Sequence, residues 1–358
     1  MAEREIEAQT RARKAAEQDA LEYPFVTPEA PAEVVEVATG VYWARIAMPM
    51  ALDHINVYLL ADEDGWYLVD TGLNTDTSRA CWQAMAERHF PQQPLKGIIC
   101  THFHYDHAGL ASWLMREFEA PLYMTHGEYF TMRALASSNS EVKEDSQRAF
   151  FVRAGMPLER FEKMLGSHRR DPFVPDFPPS FIRLRDGESL TIGGRQWRVV
   201  TGEGHSPEHA CLYAEDDRIL LAGDQILPGI SSNVLVSDVE PEADPLSLWL
   251  RSLDKLRTLA EDTLVLPAHG RVFRGLHTRV DQLHAHHRRQ LDVLMGPARR
   301  GESFTAWEAM SWLFTRELKS IELMLGLGET LAHLSYLCRT GQLLRLRGED
   351  GLDRYSAQ

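Results

Sequence analysis

Long apolar runs are missing from this chain. No stretch of its 358 residues approaches the roughly 20 consecutive apolar residues that a membrane-spanning helix needs, so no membrane partner is expected. Cysteine is scarce: Cys81, Cys100, Cys211 and Cys338 are all there is, with no paired spacing. That excludes a disulfide framework and sets the expected location as a reducing cytoplasm. Cys100 and Cys211 sit in apolar contexts and read as small core residues. Positive charge is also short, with 38 Lys and Arg against 52 Asp and Glu and a formal net charge of -14. A pI of 5.5 is far from the basic footprint of a nucleic-acid binder and leaves room only for a local basic patch. Internal repeats and low-complexity segments are absent. Residues 1–20 are highly charged and carry no apolar signal-peptide core; residues 1–32 read as a charged N-terminal extension. The 44% of hydrophobic residues suffices for a sizeable core in one or two domains, as in a soluble enzyme.

What is there centres on Thr101-His102-Phe103-His104-Tyr105-Asp106-His107. Three imidazoles and a carboxylate follow the apolar run Gly97-Ile98-Ile99-Cys100, which reads as a buried strand. Neutral imidazole is the commonest protein ligand for zinc-like metals. Packing four such groups without a cation means repulsion or costly desolvation. The plain alternative is a hydrated polar turn. The rest of the chain supplies partners. His205 lies in the Gly/Pro-punctuated loop Gly202-Glu203-Gly204-His205-Ser206-Pro207-Glu208-His209. Asp224 follows Ile219-Leu220-Leu221-Ala222 and a glycine. His269 follows Thr263-Leu264-Val265-Leu266-Pro267-Ala268 and precedes Gly270. Each sits at the exit of an expected strand, where sites assemble in layered α/β folds.

The series HxHxDH, GH, GD and Pro-x-His-Gly resembles the metallo-β-lactamase superfamily, over roughly residues 34–285. The resemblance extends to Asp70 in Tyr67-Leu68-Val69-Asp70-Thr71-Gly72. It implies an α+β fold, an αββα sandwich of two mixed sheets with helices outside. Carried over residue by residue, it implies that His102, His104 and His205 hold a first metal and Asp106, His107 and His269 a second. Asp224 would bridge both with a water or hydroxide, as in the glyoxalase II-like branch. Asp106 and Asp224 are thereby the expected catalytic carboxylates. Asp70 is expected to accept a hydrogen bond from a ligand imidazole, fixing its tautomer. His209 has the same role or is a polar loop histidine contacting water. Zinc β-lactamases of one class place a cysteine where Asp224 stands, and Cys211 does not fit that role, which counts against antibiotic hydrolysis. Two divalent ions are expected; imidazole and carboxylate suit zinc, and iron and manganese accept them too.

Such a site implies metal-assisted hydrolysis, with hydroxide available near neutral pH and the attacked group polarised. The expected substrate is a thioester or another activated acyl ester, a small molecule. The first alternative is phosphodiester cleavage of single-stranded RNA, which the net charge disfavours. The second is a nucleic-acid-binding regulator with no hydrolytic role.

Residues 128–180 read as a helical insertion overhanging the site. Leu158, Phe161, Met164 and Leu165 share one face of a helix begun near Pro157. Phe150, Phe151, Met156, Phe161 and Met164 suit an apolar acyl group, although the insertion's own core is the plainer account. Arg153, Arg169 and Arg170 are candidates for an anionic substrate tail, against the commoner solvated surface charge. His54 and Tyr58 border the expected groove, the alternative being a rim histidine and a packed strand tyrosine. Residues 276–294 carry helical spacing, with His284, His286 and His287 on a polar face, and Gly296-Pro297 is expected to break that helix. Ser303 or Thr305 caps the next helix. A further helix over 328–337, a strand over 341–347, a turn at 348–351 and a return strand resemble the winged-helix module of the LACTB-two-like branch. Arg339, Arg345, Arg347 and Arg354 lie on it, interrupted by Glu349, Asp350 and Asp353. This module, residues 286–358 after a catalytic domain over 33–285, reads as an appendage that packs on that domain or forms a homodimer interface.

Overall fold

The computed structural model describes residues 12–50, 52–89, 93–137, 140–168, 177–319 and 321–358. β-branched and aromatic residues build the first strands. These are β1 (Val34–Ala38), β2 (Val41–Ala47), β3 (His54–Asp62) and β4 (Gly65–Val69), an antiparallel meander. The sheet then turns parallel through β5 (Leu95–Ile99), β6 (Leu122–Thr125) and β7 (Ile182–Leu184). Parallel pairing needs a crossover, and helices supply it. Helix α2 (Asp76–His89) joins β4 to β5; α3 (Tyr105–Ala108) and α4 (Ala111–Glu117) join β5 to β6.

The second sheet runs β12-β11-β10-β9-β8. Its members are β8 (Ser189–Ile192), β9 (Arg195–Gly202), β10 (His209–Ala214), β11 (Ile219–Gly223) and β12 (Leu264–Pro267). All pairs are antiparallel except β11 with β12, bridged by helix α8 (Pro245–Arg257). Asp244 caps α8 by accepting from Ser247 N–H, and Pro245 starts it where no N–H is needed. β10 and β11 are buried along their whole length, as strands covered on both faces are.

Three apolar clusters define the layers. Trp43, Leu60, Trp197, Leu212, Leu221 and Leu266 fill the space between the sheets. Trp82, Met85, Leu114 and Met132 cover the outer face of the first sheet. Trp249, Leu253, Val280 and Leu283 cover the second. The result is the αββα sandwich the motifs implied.

Helices α5 (His126–Ser137), α6 (Ser140–Arg153) and α7 (Leu158–His168) make the insertion. The chain closes with α9 (Leu276–Arg299), α10 (Ala306–Leu313), α11 (Ile321–Arg339) and the hairpin β13 (Leu343–Arg347) and β14 (Asp353–Ala357). Thr305 caps α10 in a reciprocal box with Glu308. Residues 12–19 form helix α1, whose Glu17 carbonyl accepts from Gln282 on α9.

Three expectations change. Gly296-Pro297 does not break α9, which continues to Arg299. So close to the helix end, proline forfeits one intrahelical bond, and its carbonyl still accepts from Arg300 and Glu302. Helix α9 also spans residues 285 and 286, on which the expected division between the two domains falls. Phe150, Phe151, Met156, Phe161 and Met164 are buried in one cluster with Phe304, Met310, Leu327, Leu331 and Tyr355. The insertion's apolar face seals onto the C-terminal helices and hairpin instead of overhanging the site. Finally, His287 is buried, so the α9 histidines are not simply a solvated face.

Candidate metal centre

The candidate ligands gather where strands of both sheets end. His102 and His104 leave β5, and Asp106 and His107 stand in the first turn of α3. His205 follows β9, Asp224 follows β11 directly, and His269 follows β12. Backbone bonds knit these exits together: Ala210 N–H donates to Thr101 O (2.8 Å), Ala268 N–H to Gly223 O (2.9 Å) and Asn56 N–H to Ala268 O (2.7 Å). Gly223 is required at its place. It has φ +50°, and a Cβ there would lie 2.5 Å from His209 Nε2.

The ligand atoms converge in groups. His102, His104 and His205 form one, Asp106, His107 and His269 another, and Asp224 joins His102 and His107 in a third. His102 Nε2 lies 2.8 Å from His104 Nδ1 and 3.2 Å from His205 Nε2. His269 Nε2 is 3.3 Å from Asp106 Oδ2. Asp224 faces both sides: Oδ2 is 3.4 Å from His205 Nε2 and 3.6 Å from His107 Nε2, and Oδ1 is 3.5 Å from His269 Nε2.

Each outward nitrogen is held by an acceptor. His107 Nδ1–H donates to Asp70 Oδ2 (2.8 Å), His205 Nδ1–H to Asn233 O (2.7 Å) and His269 Nδ1–H to His54 O (2.8 Å). Carbonyl and carboxylate oxygens only accept, so all three rings carry the proton on Nδ1 and turn Nε2 inward. There His107 Nε2, His269 Nε2 and Asp224 Oδ1 are buried with no hydrogen-bond partner. Orphaned buried donors and acceptors are rare and costly. A cation among these nitrogen and oxygen atoms satisfies them all, so the residues fit a divalent metal centre.

The electrostatics agree. Burial lowers His102 well below the ordinary histidine value and His104 to about 3, leaving both neutral as ligands must be. Burial opposes the charged forms of His107 and His269. Even so, the surrounding carboxylates raise both, with Asp106, Asp70 and Asp224 acting on His107. Against the same burial, His107 and His269 hold Asp106 down at about 2. Protons on these imidazoles stand where a cation would bind.

Around this centre Asp70, at φ +61°, accepts from Thr101 N–H (2.8 Å) as well as from His107. His209 Nε2 accepts from Asp224 N–H (3.1 Å), which fixes the backbone of that carboxylate; His209 is no water-facing loop residue, being fully buried.

Tyr58 does not reach the groove: it is buried between the sheets and donates to Pro267 O (2.8 Å). His54 lies beside His269, but Asp53 engages its Nδ1 (2.6 Å) and Gly270 N–H its Nε2 (3.1 Å), which leaves no ring nitrogen for a substrate. Arg153 pairs with Asp353 of β14 (3.4 Å) and covers the Phe150 ring, so it ties the insertion to the hairpin. Arg169 and Arg170 lie outside the described residues.

Neither Glu128 nor Asn233 was marked by any pattern in the sequence. Glu128, fully buried on α5, accepts from Phe103 N–H (3.0 Å), Ser206 Oγ (2.7 Å) and Glu208 N–H (2.7 Å). It thereby clamps the His102 and His205 loops together, and burial raises its carboxyl above the usual range.

Residues 50–269 match the family model of the metallo-β-lactamase superfamily, and residues 295–358 that of the metallo-β-lactamase-like C-terminal domain. The crystal structure of a β-lactamase domain protein from Burkholderia ambifaria superposes with a TM-score of 0.86 at 40% identity, over 95% of this chain and 98% of its own. The probable metallo-hydrolase YqjP of Bacillus subtilis is 26% identical over 82% of this chain and 90% of its own length. The human acyl-coenzyme A thioesterase MBLAC2 is 26% identical over 53% of this chain and 64% of its own. Two sheets whose strand ends bring these histidines and aspartates together, and a family model spanning most of the sandwich, lead to one conclusion: the chain belongs to the metallo-β-lactamase superfamily.

Proposed function

We propose that this protein is a binuclear metal-dependent hydrolase of thioesters or other activated acyl esters. The carrying observation is the set of buried, unpaired atoms His107 Nε2, His269 Nε2 and Asp224 Oδ1 turned toward one another. His102, His104 and His205 would hold one ion, Asp106, His107 and His269 the other, and Asp224, facing both sets, would bridge them. Divalent ions, zinc first and iron or manganese next, supply Lewis acidity and a nucleophilic water near neutral pH. The chain's own part is positioning. Asp70, Asn233 O and His54 O fix the tautomers of three ligand imidazoles. Glu128 fixes the spacing of two ligand loops, and the walls of the sandwich exclude bulk water from His102 and His107. The thiolate of a thioester leaves as a stable anion, so a site that offers no general acid among the described residues suits it.

Two observations favour the acyl substrate over RNA. One similar protein is an acyl-coenzyme A thioesterase. The C-terminal arginines, moreover, are engaged: Arg339 donates to Glu242 O, Arg345 pairs with Glu242, Arg347 with Asp353 and Arg354 with Asp350. The test is a panel of acyl thioesters, lactones and labelled single-stranded RNA, offered to zinc-, manganese- and iron-loaded protein, with Asp224→Ala as blank. Turnover of thioester, lost in the blank, is expected. RNA cleavage that vanishes in the blank, with no acyl turnover, overturns the substrate assignment. Full turnover by metal-verified Asp224→Ala overturns the two-metal one.

A further inference from the structure

The stretch between Asp224 and α8 is irregular, yet it is pinned from the side away from the metal centre. Arg279 of α9, itself buried, donates to Leu227 O (2.6 Å) and Ile230 O (2.8 Å). Ser231 Oγ lies 3.2 Å from His287 Nε2. Helix α11 packs on it by its backbone: Val236 N–H donates to Gly328 O (3.0 Å), and a Cβ at residue 328 would lie 2.9 Å from Leu235 Cβ. One residue on, Glu329 Oε2 accepts from Asn233 Nδ2 (3.2 Å). On its other side the same residue, Asn233, offers the carbonyl that receives His205 Nδ1–H at 2.7 Å. A carbonyl can fix a ring only if its own residue is fixed. Asn233 lies in neither helix nor strand, so no ladder bonds hold it, and its side-chain amide adds a hold of its own through Glu329.

We infer that Glu329 and Asn233 form a positioning relay from the C-terminal domain to the metal centre: Glu329 holds the Asn233 amide, and Asn233 O holds His205. The inference rests on the reading of His205 as a metal ligand. It makes α11 part of the site's scaffold, some 96 positions along the chain from Asn233, and both residues act through His205 without touching substrate. Outer partners of ligating histidines usually change metal affinity by 10–100-fold when removed.

The experiment measures metal affinity of chelator-stripped full-length protein by competition with a chromophoric zinc chelator, and the absorption spectrum after cobalt(II) loading. Wild type, Glu329→Ala, Glu329→Gln, Asn233→Ala and the double alanine variant are compared, with thermal unfolding of each stripped protein alongside. Wild type is expected to bind two equivalents. Glu329→Ala and Asn233→Ala should each weaken one equivalent about 10-fold or more and alter the cobalt spectrum. The double variant should be no worse than the weaker single one, because both cut the same relay. Glu329→Gln keeps an oxygen acceptor for Asn233 and should bind nearly as wild type. Should Glu329→Ala fail to fold, Asn233→Ala, which leaves α11 untouched, reads the same relay. Unchanged affinity and spectrum, with or without a lower Tm, overturns the relay and leaves the metal centre standing; so do additive losses in the double variant. Wild type that takes up no metal overturns the metal-centre reading and the relay with it.

Discussion

Asp70 shows how one residue can be both strained and well chosen. Its φ of +61° lies in the left-handed region, which costs most side chains energy but is tolerated best by Asp and Asn. In that conformation one carboxylate reaches Thr101 N–H with Oδ1 and His107 Nδ1–H with Oδ2. Asp70→Asn is therefore a clean test, because asparagine suits the same backbone and has nearly the same shape. The charge is lost, and one acceptor oxygen becomes an NH2 donor that cannot accept from Thr101 N–H or His107 Nδ1–H. The expected result is a loss of zinc affinity of about 10–100-fold with little change in Tm; equal affinity would falsify the role of Asp70 in fixing His107. At this scale the sequence was informative where side-chain chemistry repeats at strand exits, as with His102, His104, Asp106, His107, His205, Asp224, His269 and Asp70. It was silent on Asn233, and on the part His54 plays, because both hold ligands through their backbone carbonyls and a carbonyl has no residue signature. Glu128 was silent for another reason: its partners are backbone and hydroxyl groups of two distant loops.

Between elements, the contact of α9 with α11 is polar at its centre. His287 Nδ1 lies 3.1 Å from His333 Nε2, and His333 Nδ1–H donates back to Glu329 O (2.8 Å). Both rings are neutral: burial pushes His333 down to about 4, and burial together with His333 pushes His287 well below the ordinary value. The unfolded chain protonates these rings near 6.5, the native protein only near 4 for His333. Between those limits the unfolded state binds more protons, so the His333 contribution to stability falls as pH drops from about 6.5 to about 4 and levels off below, while that of His287 falls in the same direction. Glu329 acts in the opposite sense. Burial raises it to about 7, so the native state binds more protons between the ordinary carboxylate range and 7, and its contribution falls as pH rises there. The wild-type profile contains both slopes, and His333→Gln isolates the histidine. Urea unfolding of chelator-treated protein should show the variant less stable at pH 8 and converging on wild type toward pH 4. A constant offset across that range would rule out the buried neutral pair. Helical spacing put His287 on a polar face of α9 with His284 and His286 but could not say what covers it, since its partner His333 lies 46 residues further on.

At the scale of the molecule, what the sequence left undecided is where the insertion faces. Its apolar residues fit either an acyl pocket or a core, and composition cannot separate the two, because both are made of Phe, Met and Leu. Geometry separates them. Phe161 is fully buried and shares a cluster with Phe151, Leu331 and Tyr355. Trp307 N–H donates to Ala154 O (3.0 Å), and α7 packs on α11. Insertion, long helix and C-terminal hairpin thus share one core on the outer side of the second sheet, and α11 belongs to that core while also reaching Asn233. Phe161→Ala should then act on stability. A truncation of this size in a buried site costs about 3–5 kcal/mol, read as a lower urea midpoint. KM for acyl thioesters should stay at the wild-type value under conditions where the variant remains folded, since no substrate atom meets the lost ring. A raised KM for long-chain thioesters with unchanged stability would instead put the ring in the acyl pocket and detach the insertion from the C-terminal core. Because α11 links that core to Asn233, a loosened core should also cost some zinc affinity, and the loss should shrink when the core is refilled by Phe161→Leu.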